Sequence, residues 1–196
     1  MKCIKKGVYL LRQSIDFFQI YKECNSQRYL YSSLVNLIKS TELFTKDLLL
    51  QKEEYLLYKN HTDEKFLKIV SSNRNQGGGP LYSSASTEDV ALQLLDYKDS
   101  LKLLNAHYCL DSELINMCIK LELFEKELLN LEVDLYRLTI IECCMLNVFN
   151  FLSRLLRLLG EQESESVRKV VKEIKGELQE FTEEYEGGNH KLLRGC

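Results

Sequence analysis

Residues 131–159 read LEVDLYRLTIIECCMLNVFNFLSRLLRLL, the most hydrophobic stretch of the chain. Leu135, Leu138, Ile141, Met145, Phe149, Leu152, Leu155 and Leu159 recur at spacings of three and four, the period of one helical face. Few polar positions interrupt them, so this helix belongs at the centre of a bundle or in a subunit interface. Asn130 is the N-cap candidate, with Glu132 and Asp134 favouring the positive end of the helix dipole, and Gly160 is the expected C′ residue.

Outward from this segment the same period repeats. Val8, Leu11, Ile15 and Phe18 define a first helix that ends before the turn at Asn25-Ser26. Leu30, Leu34, Leu37, Thr41, Phe44, Leu48 and Leu50 line a second over 27–54, with Lys39, Lys46 and Asp47 toward water. The short connection predicts an antiparallel hairpin. Thr62 is read as the cap of a short helix carrying Phe66, Leu67, Ile69 and Val70. Residues 72–85, with Gly77-Gly78-Gly79-Pro80, are read as a flexible surface loop. The triple glycine lacks a following Gly-Lys-Ser/Thr and a preceding strand, so a phosphate loop is not supported.

Ser86 or Thr87 caps a helix through Val90, Leu94, Tyr97, Leu101 and Leu104, ending near Asn105. Asp111 to Glu113 opens another, with Leu114, Met117, Cys118, Leu121, Phe124 and Leu128 inward. An amphipathic helix over 164–186 carries Val167, Val170, Val171, Ile174, Leu178, Phe181 and Tyr185 and lies peripherally, against the bundle as a lid or toward a partner. Residues 187–196 are expected as a disordered tail. The expectation is an all-α, antiparallel bundle of about five to seven helices in a single domain over 1–186.

Composition narrows the function classes. A chain of 196 residues buries about 70 % of its unfolded surface in one core. A net charge of −3 with scattered lysines and arginines gives no basic stripe for general nucleic-acid binding. The seven cysteines are an odd number without a C-x-x-C pair, which points to reduced thiols in a cytoplasmic protein rather than a disulfide or metal framework. No signal peptide or membrane span is read, and no cofactor or metal ligand set is recognised.

The order of elements and several strings resemble the HEPN-like helical superfamily of bacteria, which includes toxin and antiviral ribonucleases. The strings are 26–59 with Ser40-Thr41-Glu42-Leu43-Phe44 inside it, then Tyr55-Leu56-Leu57-Tyr58-Lys59, 90–104, 119–135 and Val148-Phe149-Asn150-Phe151-Leu152. In active members the resemblance implies an Arg-x(4–6)-His pair, the arginine holding phosphate as a planar fork and the histidine moving a proton. The corresponding stretch is 124–135. Glu125 stands where arginine is expected, Lys126 follows it, and Asn130 stands where histidine is expected. A carboxylate repels phosphate and an amide does not shuttle protons, so this site is expected to be dead.

His107, five residues after Lys102, is the weak remaining candidate, on the condition that the helix ends between them. On a continuous helix the two lie about 140° apart and share no face. Paired carboxylates at Glu42 and Asp47, Glu53 and Glu54, and Glu132 and Asp134 read as ordinary acidic helix positions. Glu142, a charge in the most apolar helix, is expected to form a structural ion pair with Arg137, Arg154 or another helix.

The resemblance therefore implies a non-catalytic domain acting by binding or dimerisation, a homodimer or a binder of RNA or protein in a bacterial defence or toxin–antitoxin setting. Two alternatives stand beside it, a ribonuclease with a displaced site and an unrelated helical protein-interaction module.

Overall fold

The computed structural model describes residues 2–75, 93–130, 133–161 and 165–189. Among these the chain is all-helical. Its α-helices are α1 (Lys2–Cys24), α2 (Gln27–Lys52), α3 (Glu64–Asn75), α4 (Tyr97–Tyr108), α5 (Ser112–Leu129), α6 (Leu135–Glu161) and α7 (Glu165–Asn189), and a 3-10 turn covers Glu54–Leu57.

Helices α1 and α2 form the expected antiparallel hairpin. Asn25 takes a positive φ of 54°, and its N–H donates to the Tyr21 carbonyl, which turns the chain within two residues. Small residues then let the two backbones close. Ser14 Oγ donates to the Ser33 carbonyl at 2.7 Å and Ser33 Oγ to the Ser14 carbonyl at 2.6 Å. At Gly7 an added Cβ would lie 2.6 Å from Phe44 Cε1, so only glycine fits under that ring.

From Leu138 onward the apolar seam read in 131–159 is the middle of the molecule, whereas Leu135, read on the same face, is exposed in the first turn of α6. Ile141, Met145, Val148, Phe149, Leu152, Leu155 and Leu159 are fully buried. Met117 and Cys144 meet across α5 and α6, Phe149 and Phe181 across α6 and α7, so these neighbours are antiparallel too. Leu135–Gly160 is the one helix among the described residues long and apolar enough, by length and composition, to cross a membrane. With 61 % of that window buried, its composition equally serves a bundle centre.

Helix α7 lays Val171, Ile174, Leu178 and Phe181 onto α1 and α6, and Arg12 fixes it through two hydrogen bonds to Glu177 at 2.8 and 2.6 Å. Phe18, Phe149, Phe181 and Tyr185 join beneath it with centroids 4.9–6.1 Å apart. A small satellite cluster of Tyr58, Phe66 and Val70 seats α3.

Several local readings are corrected. Asp63, not Thr62, caps α3, accepting from the backbones of Lys65 and Phe66, and α3 continues to Asn75, so 72–75 are helical rather than loop. Leu94 lies outside any helix. It bridges to Tyr58, and Asp96 caps α4 by accepting from Asp99 N. Ser86 and Thr87 lie outside the described residues.

Asn130 ends α5 instead of starting α6, whose cap is Asp134. Gly160 is inside α6, and an added Cβ there would stand 3.3 Å from Val171 Cγ1, so it serves a close approach to α7 rather than a stop. Helix α7 runs to Asn189, through the first three residues of the expected tail, and 190–196 lie outside the described residues. Asp47 is buried at 5 % exposure rather than facing water, because α2 is packed by neighbours on several sides, while Leu50 is exposed.

Candidate functional site

The segment singled out in the sequence, Glu125 to Asn130, forms the end of α5 and the turn into α6. Five residues separate Glu125 from Asn130, about 140° on a helix, and the structure separates them accordingly. Asn130 lines a cleft of about 380 Å³ together with Glu127, Asp134, Tyr136 and Arg137, whereas Glu125 and Lys126 do not.

The cleft is organised by Asp134 and Arg137. Asp134 Oδ1 accepts from the Arg137 backbone N–H at 2.7 Å, which starts α6 and sets the direction of the arginine. The guanidinium then reaches back to α5. Its Nε and Nη2 donate to the two Glu127 carboxylate oxygens, both at 2.7 Å, and its carbon lies 4.8 Å from the Phe124 ring centroid. This paired fork holds the Glu127 carboxyl below its ordinary range and raises the guanidinium further. A planar fork already filled by a carboxylate is not open to a phosphate. The cleft lining holds neither histidine nor cysteine.

Apolar side chains stand around the same end of the bundle. Leu129 is 62 % exposed, Leu135 84 % and Tyr136 77 %. Glutamine Gln27 at the start of α2 donates to the Val133 carbonyl at 3.3 Å and ties the turn to the hairpin.

The other sequence candidates lie apart. Helix α4 continues through His107 to Tyr108, so Lys102 and His107 sit on one helix at divergent angles, and the condition for their pairing is not met. Lys102 lies 3.6 Å from Asp99 instead. Glu42 pairs with Lys46 on its own helix. Glu142 makes its expected ion pair with another helix. It accepts from Lys22 Nζ at 2.7 Å and from the Tyr21 hydroxyl at 2.5 Å, an arrangement that with burial raises the Tyr21 pKa.

Cys118 and Cys144 are buried free thiols, Cys143 is buried beside Cys144, and Cys24 and Cys109 are exposed. Burial raises the Cys118 thiol and pushes Cys144 up to about 12. Among the described residues no group of three or more His, Cys, Asp or Glu is arranged to hold a metal ion.

The arrangement that sequence reasoning missed is the Arg137–Glu127 pair. Ten residues apart and on different helices, it follows from Asp134 capping α6, and the reading of Asn130 as the cap concealed it.

No protein-family description, no curated protein and no solved structure matches this chain.

Proposed function

We propose that the chain is a non-catalytic, HEPN-like helical module that works by binding, and that it pairs with a second copy through the α5–α6 end. The observation that carries this reading is the coincidence of three exposed apolar side chains, Leu129, Leu135 and Tyr136, with an arginine already neutralised by Glu127. Elsewhere large exposed apolar residues such as Tyr9 and Leu50 stand on other helices, the ordinary surface pattern.

A twofold axis near Leu135 would cover the same patch on both copies, as a self-complementary interface requires. The remainder of α6 is occupied inside its own bundle, so the pairing uses the first turn of that helix and not its length. A setting in bacterial defence or in a toxin–antitoxin pair follows from the resemblance.

Light scattering over a range of concentrations tests this directly. The expected result is a dimer that becomes monomeric in a Leu135→Asp, Tyr136→Asp double variant. A strict monomer at every concentration overturns the pairing. Cleavage of total RNA by highly purified protein overturns the non-catalytic reading and revives the displaced-site ribonuclease.

A further inference from the structure

A second cleft, on the opposite side of α5 in sequence order, has a different chemistry. Residues 57–59 and 93–95 are laid side by side. Leu95 N–H donates to the Leu57 carbonyl and Lys59 N–H to the Gln93 carbonyl, both at 2.8 Å, flanking the Tyr58–Leu94 bridge. This short ladder brings Lys59 and His61 from one part of the chain against α4, where Lys102 stands. The cleft between them, about 420 Å³, is lined by Lys59, His61, Asp99 and Lys102 over Leu95, Leu103 and Ala106. The histidine that shares a cleft with Lys102 is thus His61, a partner no sequence spacing reveals.

The geometry points to a binding site for a small organic phosphate with a flat apolar portion, the chemistry of a nucleoside monophosphate. The lining sets two ammonium groups and an imidazole in one cleft, with Asp99 among them and Asp96 beside Lys59. Lys59 Nζ is 3.8 Å from Asp96 Oδ2 and Lys102 Nζ is 3.6 Å from Asp99 Oδ1, both beyond hydrogen-bond distance. The donors of each lysine therefore remain available to a doubly charged oxyanion, which attracts them more strongly than one distant carboxylate.

His61 Nδ1 lies 2.9 Å from the Tyr58 carbonyl, so that nitrogen carries the hydrogen, and in the neutral ring Nε2 is left as an acceptor suited to a sugar hydroxyl rather than to the phosphate. The apolar side of Leu95, Leu103 and Ala106 supplies the surface for a ring, and the volume falls within the range of small-molecule sites.

The test uses adenosine 5′-monophosphate, adenosine and inorganic phosphate as probes, titrated into the full chain and followed by backbone amide NMR. Saturable shifts at Leu95, Leu103 and Ala106 are expected with the monophosphate, and binding at least about tenfold weaker with either fragment. Lys59→Ala and Lys102→Ala are each expected to weaken the monophosphate about tenfold, while Lys169→Ala on α7 leaves it unchanged. Lys102→Gln, which removes the charge but keeps a polar hydrogen-bonding end, should behave as Lys102→Ala.

The proposal is overturned if the monophosphate produces no shifts at millimolar concentration. It is equally overturned if Lys102→Ala and Lys102→Gln bind as the parent does, or if inorganic phosphate binds as tightly as the nucleotide. None of these outcomes depends on whether the chain dimerises, so this site and the pairing surface stand or fall separately.

Discussion

Arg137 holds Glu127 through two 2.7 Å hydrogen bonds across the α5–α6 turn while its guanidinium covers the Phe124 ring. The pair is partly exposed, so its worth is modest, on the order of 1 kcal/mol. Arg137→Lys keeps the charge and loses the fork, and is expected to lower stability by about 0.5–1 kcal/mol in urea denaturation. Because the Glu127 pKa is lowered on folding, its contribution is present above the unfolded carboxyl value and fades as pH falls through the folded one. The difference between parent and Glu127→Gln should therefore shrink in acid.

Glu122 carries the opposite sign. Burial raises its pKa first, with Asp96, Glu125 and Glu42 adding repulsion against the help of Lys126. Its ionised form is disfavoured in the folded state, so stability rises as pH falls through the folded value and levels off below the unfolded one. Glu122→Gln is expected to stabilise at pH 7 by less than about 1 kcal/mol and to match the parent near pH 3. A thermal melt at both pH values reads this directly, and an equal effect at the two would refute it.

Three of the helical glycines, Gly7, Gly160 and Gly176, separate by what lies opposite them. Gly7→Ala drives a methyl into Phe44 and should cost about 1–3 kcal/mol. Gly176→Ala meets nothing within 4 Å on an exposed helical position and should gain about 0.5–1 kcal/mol. Gly160→Ala, at 3.3 Å from Val171, falls between the two. Denaturant midpoints of the three variants give the order, and a destabilised Gly176→Ala would contradict the packing of α7.

The ring cluster under α7 gives the largest expected loss. Phe149 is fully buried against Phe18 and Phe181, and Phe149→Ala should cost about 3–5 kcal/mol through lost contact and cavity. Tyr9→Ala, on an exposed face, serves as the comparison and should stay within about 0.5 kcal/mol of the parent. Equilibrium urea unfolding measures both.

Helical periodicity was legible wherever an element buries one face against neighbours. The seams of α1, α2, α5, α6 and α7 stand in the sequence at three- and four-residue spacing, and Glu142 advertised its need for a partner by its apolar surroundings. Helix boundaries were less legible because residues close in sequence compete for the same cap. Thr62 and Asp63, or Asn130 and Asp134, are each plausible by type, and the carboxylate that reaches two N–H groups or sets the next helix decides. Asp47 and Gly160 were misread for another reason: burial from several sides and close approach of a distant helix are tertiary facts without local period. The two clefts share that origin, since Glu127 with Arg137 and His61 with Lys102 meet only once separate elements have docked.

The bonds from Arg12 to Glu177 also set a temporal order. The rings of Phe18 and Phe149 gain their roof only when residues 165–189 arrive, more than a hundred positions after the first hairpin has formed. During synthesis the Phe18 ring of the early hairpin thus stays uncovered until Phe149 and then α7 emerge, an interval in which chaperone capture competes with aggregation.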